Sequence, residues 1–215
     1  MKHIAHHIKV ILFDHDDTLV GTIEAKWAAH KQIAKTHYGK NLTDDDIRKH
    51  WGKPLRTLVG LLYGDDDIDR AMQRERDTHK DFPKQVFEDT EHVLKKLKDS
   101  GKKIGIITAT SRWSFEYDIG TMNIDESLID YSQTEDDTKY HKPDSRVFEP
   151  AIAWLKSENI KPEEVVYVGD GLHDMKAALG AGFEFIGVAT GLITQKEFTN
   201  SGIKSVKKLS DLVQL

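Results

Sequence analysis

Four runs of apolar residues interrupt an otherwise polar chain, and each ends in small or charged residues. Val10-Ile11-Leu12-Phe13 leads into Asp14-His15-Asp16-Asp17-Thr18, and Ile104-Gly105-Ile106-Ile107 into Thr108-Ala109-Thr110-Ser111. Val165-Val166-Tyr167-Val168 leads into Gly169-Asp170-Gly171, and Phe185-Ile186-Gly187-Val188 into Ala189-Thr190-Gly191. Short unbroken apolar runs bounded by turn formers read as strands buried on both faces. Between them the apolar residues change to helical spacing. Thr90 to Lys98 puts Val93, Leu94 and Leu97 on one face, and Val147 to Leu155 and Asp174 to Ala181 repeat the pattern. Strands alternating with helices predict an α/β fold with a Rossmann-like parallel sheet.

One interval is too long for a simple crossover. From Thr18 to about Val86 the pattern is helical, with no convincing strand. Ile23, Trp27, Ala34 and Tyr38 share one face of a first helix. Thr43 can cap a second, with Asp44, Asp45 and Asp46 in its first turn. The break at Gly52-Lys53-Pro54 precedes a third helix, and Asp65 to Lys80 reads as a charged fourth. The expected organisation is an α/β core from residues 1–19 and 88–215, with an α-helical cap at 20–87 inserted after the first strand. Neither repeats nor low-complexity segments are present.

Composition narrows the function. A chain of 215 residues can bury a sizeable core. Charged residues make up 31% and the formal charge is −5, which argues against a general nucleic-acid binder. The absence of cysteine excludes disulfides, thiol nucleophiles and thiolate-ligated zinc. No apolar run reaches membrane-spanning length and the first nine residues lack a signal-peptide core, so no membrane association and a cytoplasmic location are expected. His3, His6 and His7 offer weak metal ligands, or simply a solvated lead-in to the first strand.

The candidate chemistry sits at the carboxyl ends of the strands, where open parallel sheets bind ligands. Side chains alternate along an extended segment, so Asp14 and Asp16 can face one crevice. Two close acids cannot both keep ordinary pKa values without a cation or a shared role. An Asp-rich turn alone is explained by side chains bonding their own backbone. A calcium loop starting at Asp14 fails, with Leu19 where glycine is needed and Ala25 where the bidentate Glu belongs. Gly169-Asp170-Gly171 lacks the later glycine of a dinucleotide fingerprint, and nothing matches a P-loop. Asp174 by itself reads as a helix first-turn acid, Lys142 as a surface lysine and Thr108 as a strand-end residue. The informative feature is their order: Asp14/Asp16, Thr108, Lys142, Asp170/Asp174.

That ordered set resembles the haloacid dehalogenase-like superfamily of phosphotransferases, over nearly the whole chain. Phe13-Asp14-His15-Asp16-Asp17-Thr18-Leu19 is similar to its first motif, Asp-x-Asp-x-Thr. Ile106-Ile107-Thr108 is similar to its second, Lys142-Pro143-Asp144 to its third, and Gly169-Asp170 through Asp174 to its fourth. A helical insert between the first two motifs matches the subfamily that includes phosphoglycolate phosphatases and β-phosphoglucomutases.

The resemblance implies a Mg²⁺-dependent phosphomonoester hydrolase for a small soluble phosphorylated metabolite. Asp14 would be the nucleophile and Asp16 the acid/base. Asp14, Asp170 and the backbone carbonyl of Asp16 would hold Mg²⁺, with Asp174 a ligand or a support behind the ligands. Thr108, Ala109 and Lys142 would bind phosphoryl oxygens. Two departures stand out: Asp17 where the family usually has glycine, and Ala109 where it usually has asparagine. The acid at Asp16 argues against the dehalogenase branch. A phosphomutase shares these motifs, and a catalytically idle phosphate-binding protein is the remaining alternative. Lys53 and Arg56, beside the Gly52-Pro54 break, are candidate substrate-specificity residues or ordinary surface charges.

Overall fold

The structure is a computed structural model, and it describes residues 4–122 and 124–213; His3 lies outside them. Eight strands are present among these residues: β1 Val10–Phe13, β2 Val20–Gly21, β3 Gln85–Val86, β4 Lys103–Ile107, β5 Tyr131–Gln133, β6 Val165–Gly169, β7 Glu184–Val188 and β8 Ser205–Val206. The helices are α1 Ile23–Tyr38, α2 Asp44–Arg48, α3 Leu55–Tyr63, α4 Ile68–Thr78, α5 Thr90–Asp99, α6 Arg112–Thr121, α7 Glu149–Ser157, α8 Leu172–Gly180 and α9 Gln195–Asn200. No helix among the described residues is long and apolar enough to cross a membrane.

By internal packing the chain divides into one unit reaching Gly21 and resuming at Val86, and a second from Thr22 to Gln85. The first is built on a six-stranded sheet in the order β5-β4-β1-β6-β7-β8, with every pair parallel. Phe13 stands opposite both Ile106 and Val168, so the chain leaves β1, β4 and β6 at the same level. Alternation along β1 splits its side chains between two cores. Ile11 and Phe13 pack with Val93, Leu94, Leu97, Phe115 and Ile119 on one face. Val10 and Leu12 pack with Phe148, Ala151, Tyr167 and Ala178 on the other. Each fully buried side chain of this kind contributes roughly 1.5–3 kcal/mol, and this double burial is why β1 has no polar position.

The predicted core strands and helices are present, with shifted ends. Val147 and Phe148 lie in a 3₁₀ turn, and α7 starts at Glu149 with Pro150 in its first turn. Helix α8 opens at Leu172 rather than at Asp174, which is its third residue. The sequence pattern does not reveal α6, although Phe115 and Ile119 have helical spacing, nor α9, the edge strands β5 and β8, or the paired two-residue strands β2 and β3 at the ends of the interval expected to hold no strand. Two or three residues carry too little alternation to be read as a strand.

The second unit is helical. Thr43 caps α2 through a reciprocal box with Asp46, while Gly39 and Gly64 end α1 and α3 in left-handed conformations. Helix α4 is shorter than the predicted Asp65–Lys80 because Asp67 caps it at Arg70. Inside the bundle, His30 Nδ1 lies 2.8 Å from both the Tyr63 hydroxyl and Glu75 Oε1. Tyr63 also donates to Glu75. Burial pushes the Glu75 carboxyl up, but His30, Lys26 and Tyr63 outweigh it and hold it below its ordinary value.

Candidate active site

The chain turns sharply where β1 ends. Asp14 N–H still donates to Val168 O at 2.9 Å, which keeps it on the sheet. His15 O then accepts from Thr18, Leu19 and Val20 at 3.4, 2.9 and 3.2 Å, closing a tight loop. Asp17 sits in that loop with φ +54°. This is the left-handed region, where Asp is tolerated better than most side chains and glycine best. The departure from glycine at this position therefore preserves the turn. Thr190 Oγ1 donates to Asp17 O at 2.5 Å and ties the loop to the segment after β7.

Four of the predicted side chains converge. Lys142 Nζ donates to Asp14 Oδ1 at 2.8 Å and lies 2.7 Å from Asp174 Oδ1. The ammonium also reaches Ile107 O at 3.4 Å and rests 5.0 Å from the ring centre of Tyr167, whose hydroxyl donates to Ile107 O at 3.0 Å. Asp174 Oδ2 accepts from Gly171 N–H at 2.9 Å, so the helix start fixes its second oxygen. Asp170 completes the set: Asp14, Asp170 and Asp174 each offer a carboxylate oxygen, all within 4.8 Å of one another.

Glycines let these acids crowd together. A Cβ on Gly191 would lie 1.8 Å from Asp170 Oδ2, and one on Gly169 would lie 2.7 Å from Asp174 Cγ. In the sequence Gly191 is only a small residue after a strand; its closeness to Asp170 depends on a contact across 21 positions.

The electrostatics are unbalanced. Burial pushes the Asp14 carboxyl up to about 6, with Lys142 opposing and Asp174 and Asp16 adding to the rise. Burial and the charges of Asp174 and Asp14 push Asp170 well above its usual value. Burial also pushes Asp174 up, but Lys142, His173 and the Gly171 N–H win and hold it low. Burial alone would lower Lys142, yet Asp14 and Asp174 hold its pKa well above normal. One lysine thus faces three carboxylates. A hard divalent cation with oxygen ligands fits that donor set and its uncompensated charge.

Asp16 is held from the second strand end. Its Oδ2 accepts from Thr110 Oγ1 at 2.7 Å, and Thr110 N–H donates to Thr108 Oγ1 at 3.0 Å. Thr108 is buried at the end of β4, Ala109 is exposed and Thr110 half-buried. Thr110 was not singled out in the sequence; its position two residues after Thr108 was the available signal. Lys53 and Arg56 belong to the helical unit. Lys53 is exposed before α3, while Arg56 forms an ion pair with Asp69 at 2.8 Å. Pro54 immediately precedes α3, whose first residue is Leu55.

A family model described as haloacid dehalogenase-like hydrolase matches residues 11–188. A pyrophosphatase PpaX of Anoxybacillus flavithermus is 27% identical over 212 residues, covering 97% of each chain. A Clostridium perfringens protein provisionally given the same name is 30% identical over 185 residues, 84% of each chain. A crystal structure from Bacteroides fragilis, provisionally described as a haloacid dehalogenase-like hydrolase, superposes with TM-score 0.83 at 27% identity, covering 95% of this chain and 99% of that one. The chain belongs to the haloacid dehalogenase-like hydrolase family.

Proposed function

We propose that the chain hydrolyses a small soluble phosphomonoester by way of an aspartyl-phosphate on Asp14. The supporting observation is the single ammonium of Lys142 held between Asp14 and Asp174, with Asp170 the third acid of the group. This arrangement presents a nucleophile at a place that becomes electropositive only when a cation joins it. Mg²⁺ held by Asp14, Asp170 and the Asp16 carbonyl, with Asp174 behind them, would supply charge neutralisation for the incoming phosphate dianion.

The residues then divide the work. An Asp14 carboxylate oxygen attacks phosphorus as the bond to the leaving oxygen breaks, and Asp16 gives that oxygen its proton. A water next attacks phosphorus and gives its proton to Asp16, the bond to Asp14 breaks, and phosphate departs. Thr110 holds Asp16 in place through its 2.7 Å hydrogen bond. Thr108, the Ala109 backbone and Lys142 receive the phosphoryl oxygens.

A second reading is inorganic pyrophosphate as the substrate, favoured by the pyrophosphatase name of relatives aligned over most of the chain. A panel of sugar phosphates, small carboxylate phosphates, an aryl phosphate and pyrophosphate, assayed for phosphate release with Mg²⁺, separates the two. Release from monoesters without a bisphosphorylated activator supports the first reading and excludes a mutase. Release from pyrophosphate alone supports the second. No release from any of them overturns both.

A further inference from the structure

His15 occupies a position where an apolar side chain would be easier to bury. It lies just beyond β1, whose Ile11 and Phe13 pack with α5 and α6, and its ring meets Phe115 of α6. Its ring is fully buried, meets Phe115 edge-on at 5.3 Å, and lies near the apolar layer of Phe13 and Ile119. Neither ring nitrogen has a hydrogen-bond partner. A buried donor or acceptor left without one destabilises the fold. Stability therefore does not account for histidine at this position.

Close to that ring is the carboxylate of Asp118, itself 2% exposed, whose Oδ2 is 3.5 Å from His15 Nε2. That distance is at the outer edge of hydrogen bonding, and a shift of about half an ångström brings the pair to ordinary geometry. Asp118 lies two turns along α6 from Ser111, which caps the helix. Thr110, just before that cap, is the residue that grips Asp16. The segment from Thr110 through α6 thus meets the loop after β1 at two places, through Thr110 at Asp16 and through Asp118 at His15.

We infer that His15 and Asp118 are a positioning pair, which clasps the β1 loop to α6 and sets the placement of Asp14 and Asp16. The inference rests on the assignment of those two acids to the chemistry. His15 is the pivot of the loop, because its carbonyl takes the N–H groups of Thr18, Leu19 and Val20. Fixing its ring fixes the backbone between the two acids. A displacement of an ångström in such groups can cost about a hundredfold in rate.

Two measurements on the full chain test the pair. With histidine rings labelled with ¹⁵N, a slowly exchanging, hydrogen-bonded imidazole N–H should be present and be assigned to His15 by its loss in H15F. It should also vanish in D118A. Its absence from the wild type, or its persistence unshifted in D118A, overturns the pair whether or not the protein turns over any substrate. With Mg²⁺ and an aryl phosphate, H15F should lower kcat about tenfold, with KM within about twofold and the melting temperature within a few degrees. H15N, which restores a donor, should recover most of that loss. Wild-type kcat in H15F, or an equal loss in H15N, overturns the positioning role. An inactive wild type would count against the hydrolase reading alone, since the resonance test needs no activity.

Discussion

Lys142 Nζ donates to Asp14 Oδ1 at 2.8 Å across 128 positions of sequence. The contact brings the candidate nucleophile and the buried Lys142 together, so the site's charge balance joins the end of β1, the loop that precedes α7 and the turn from β6 into α8.

Asp14→Asn should reduce phosphate release at least about a thousandfold while leaving the fold intact. The amide keeps the shape and can still face Lys142, but it loses the charge that attacks phosphorus. Turnover near the wild-type rate, with an unchanged circular dichroism spectrum, would refute the nucleophile assignment.

Activity should disappear in excess chelator and return with Mg²⁺. Asp170→Ala should raise the Mg²⁺ concentration needed for half-maximal rate at least tenfold, because it removes one carboxylate of the three-acid group. A titration of rate against Mg²⁺ for both proteins decides this, and an Asp170→Ala curve that overlays the wild type would contradict it.

Mg²⁺ affinity should weaken as the pH falls from about 7 to 5. Burial pushes the Asp14 carboxyl up to about 6 from an ordinary 3.8, and Asp170 is raised as well. The metal must displace those protons, so its binding is favoured above pH 6 and opposed below it. For the metal-free protein the sign is opposite. A raised carboxyl pKa means that folding takes up a proton between about pH 4 and 6, so the stability contributed by Asp14 declines as pH rises through that window. Melting temperatures with and without Mg²⁺ across this range should diverge as pH increases.

Gly191→Ala should act through the metal site. The added methyl would lie 1.8 Å from Asp170 Oδ2 and 2.7 Å from its Cγ, so the carboxylate must swing away. Apparent Mg²⁺ affinity should fall at least tenfold, with a metal-free melting temperature within a few degrees of wild type. Calorimetric titration with Mg²⁺ is the direct check, and unchanged affinity would remove Gly191 from the site.

Lys53→Ala should lower kcat/KM for the preferred substrate by about tenfold or more while hardly affecting a generic aryl phosphate. Lys53 is exposed beside a glycine with φ +84°, whereas Arg56 is already engaged by Asp69. Equal effects on both substrates would return Lys53 to the surface charges.

The sequence by itself determined the class of fold and nominated the residues of the candidate site. The apolar run of β1, with no polar position, demanded burial on both faces, and that requires a parallel sheet covered by helices. Acids at the carboxyl ends of such strands had to share one end of the sheet. Asp14, Asp16, Thr108, Lys142, Asp170 and Asp174 were legible because each directly follows or sits near a strong local signal. The tertiary structure alone decided which of them touch. Lys142 bridges Asp14 and Asp174, while Asp16 turns to Thr110. Gly191 shapes Asp170, and His15 faces Asp118 in a helix the sequence pattern did not reveal. These relations join residues 21 to 128 positions apart through distances of a few ångströms. Periodicity reports only which face a residue takes within its own element. The register and packing of separate elements set the distances between faces, and those arise when the whole sheet assembles.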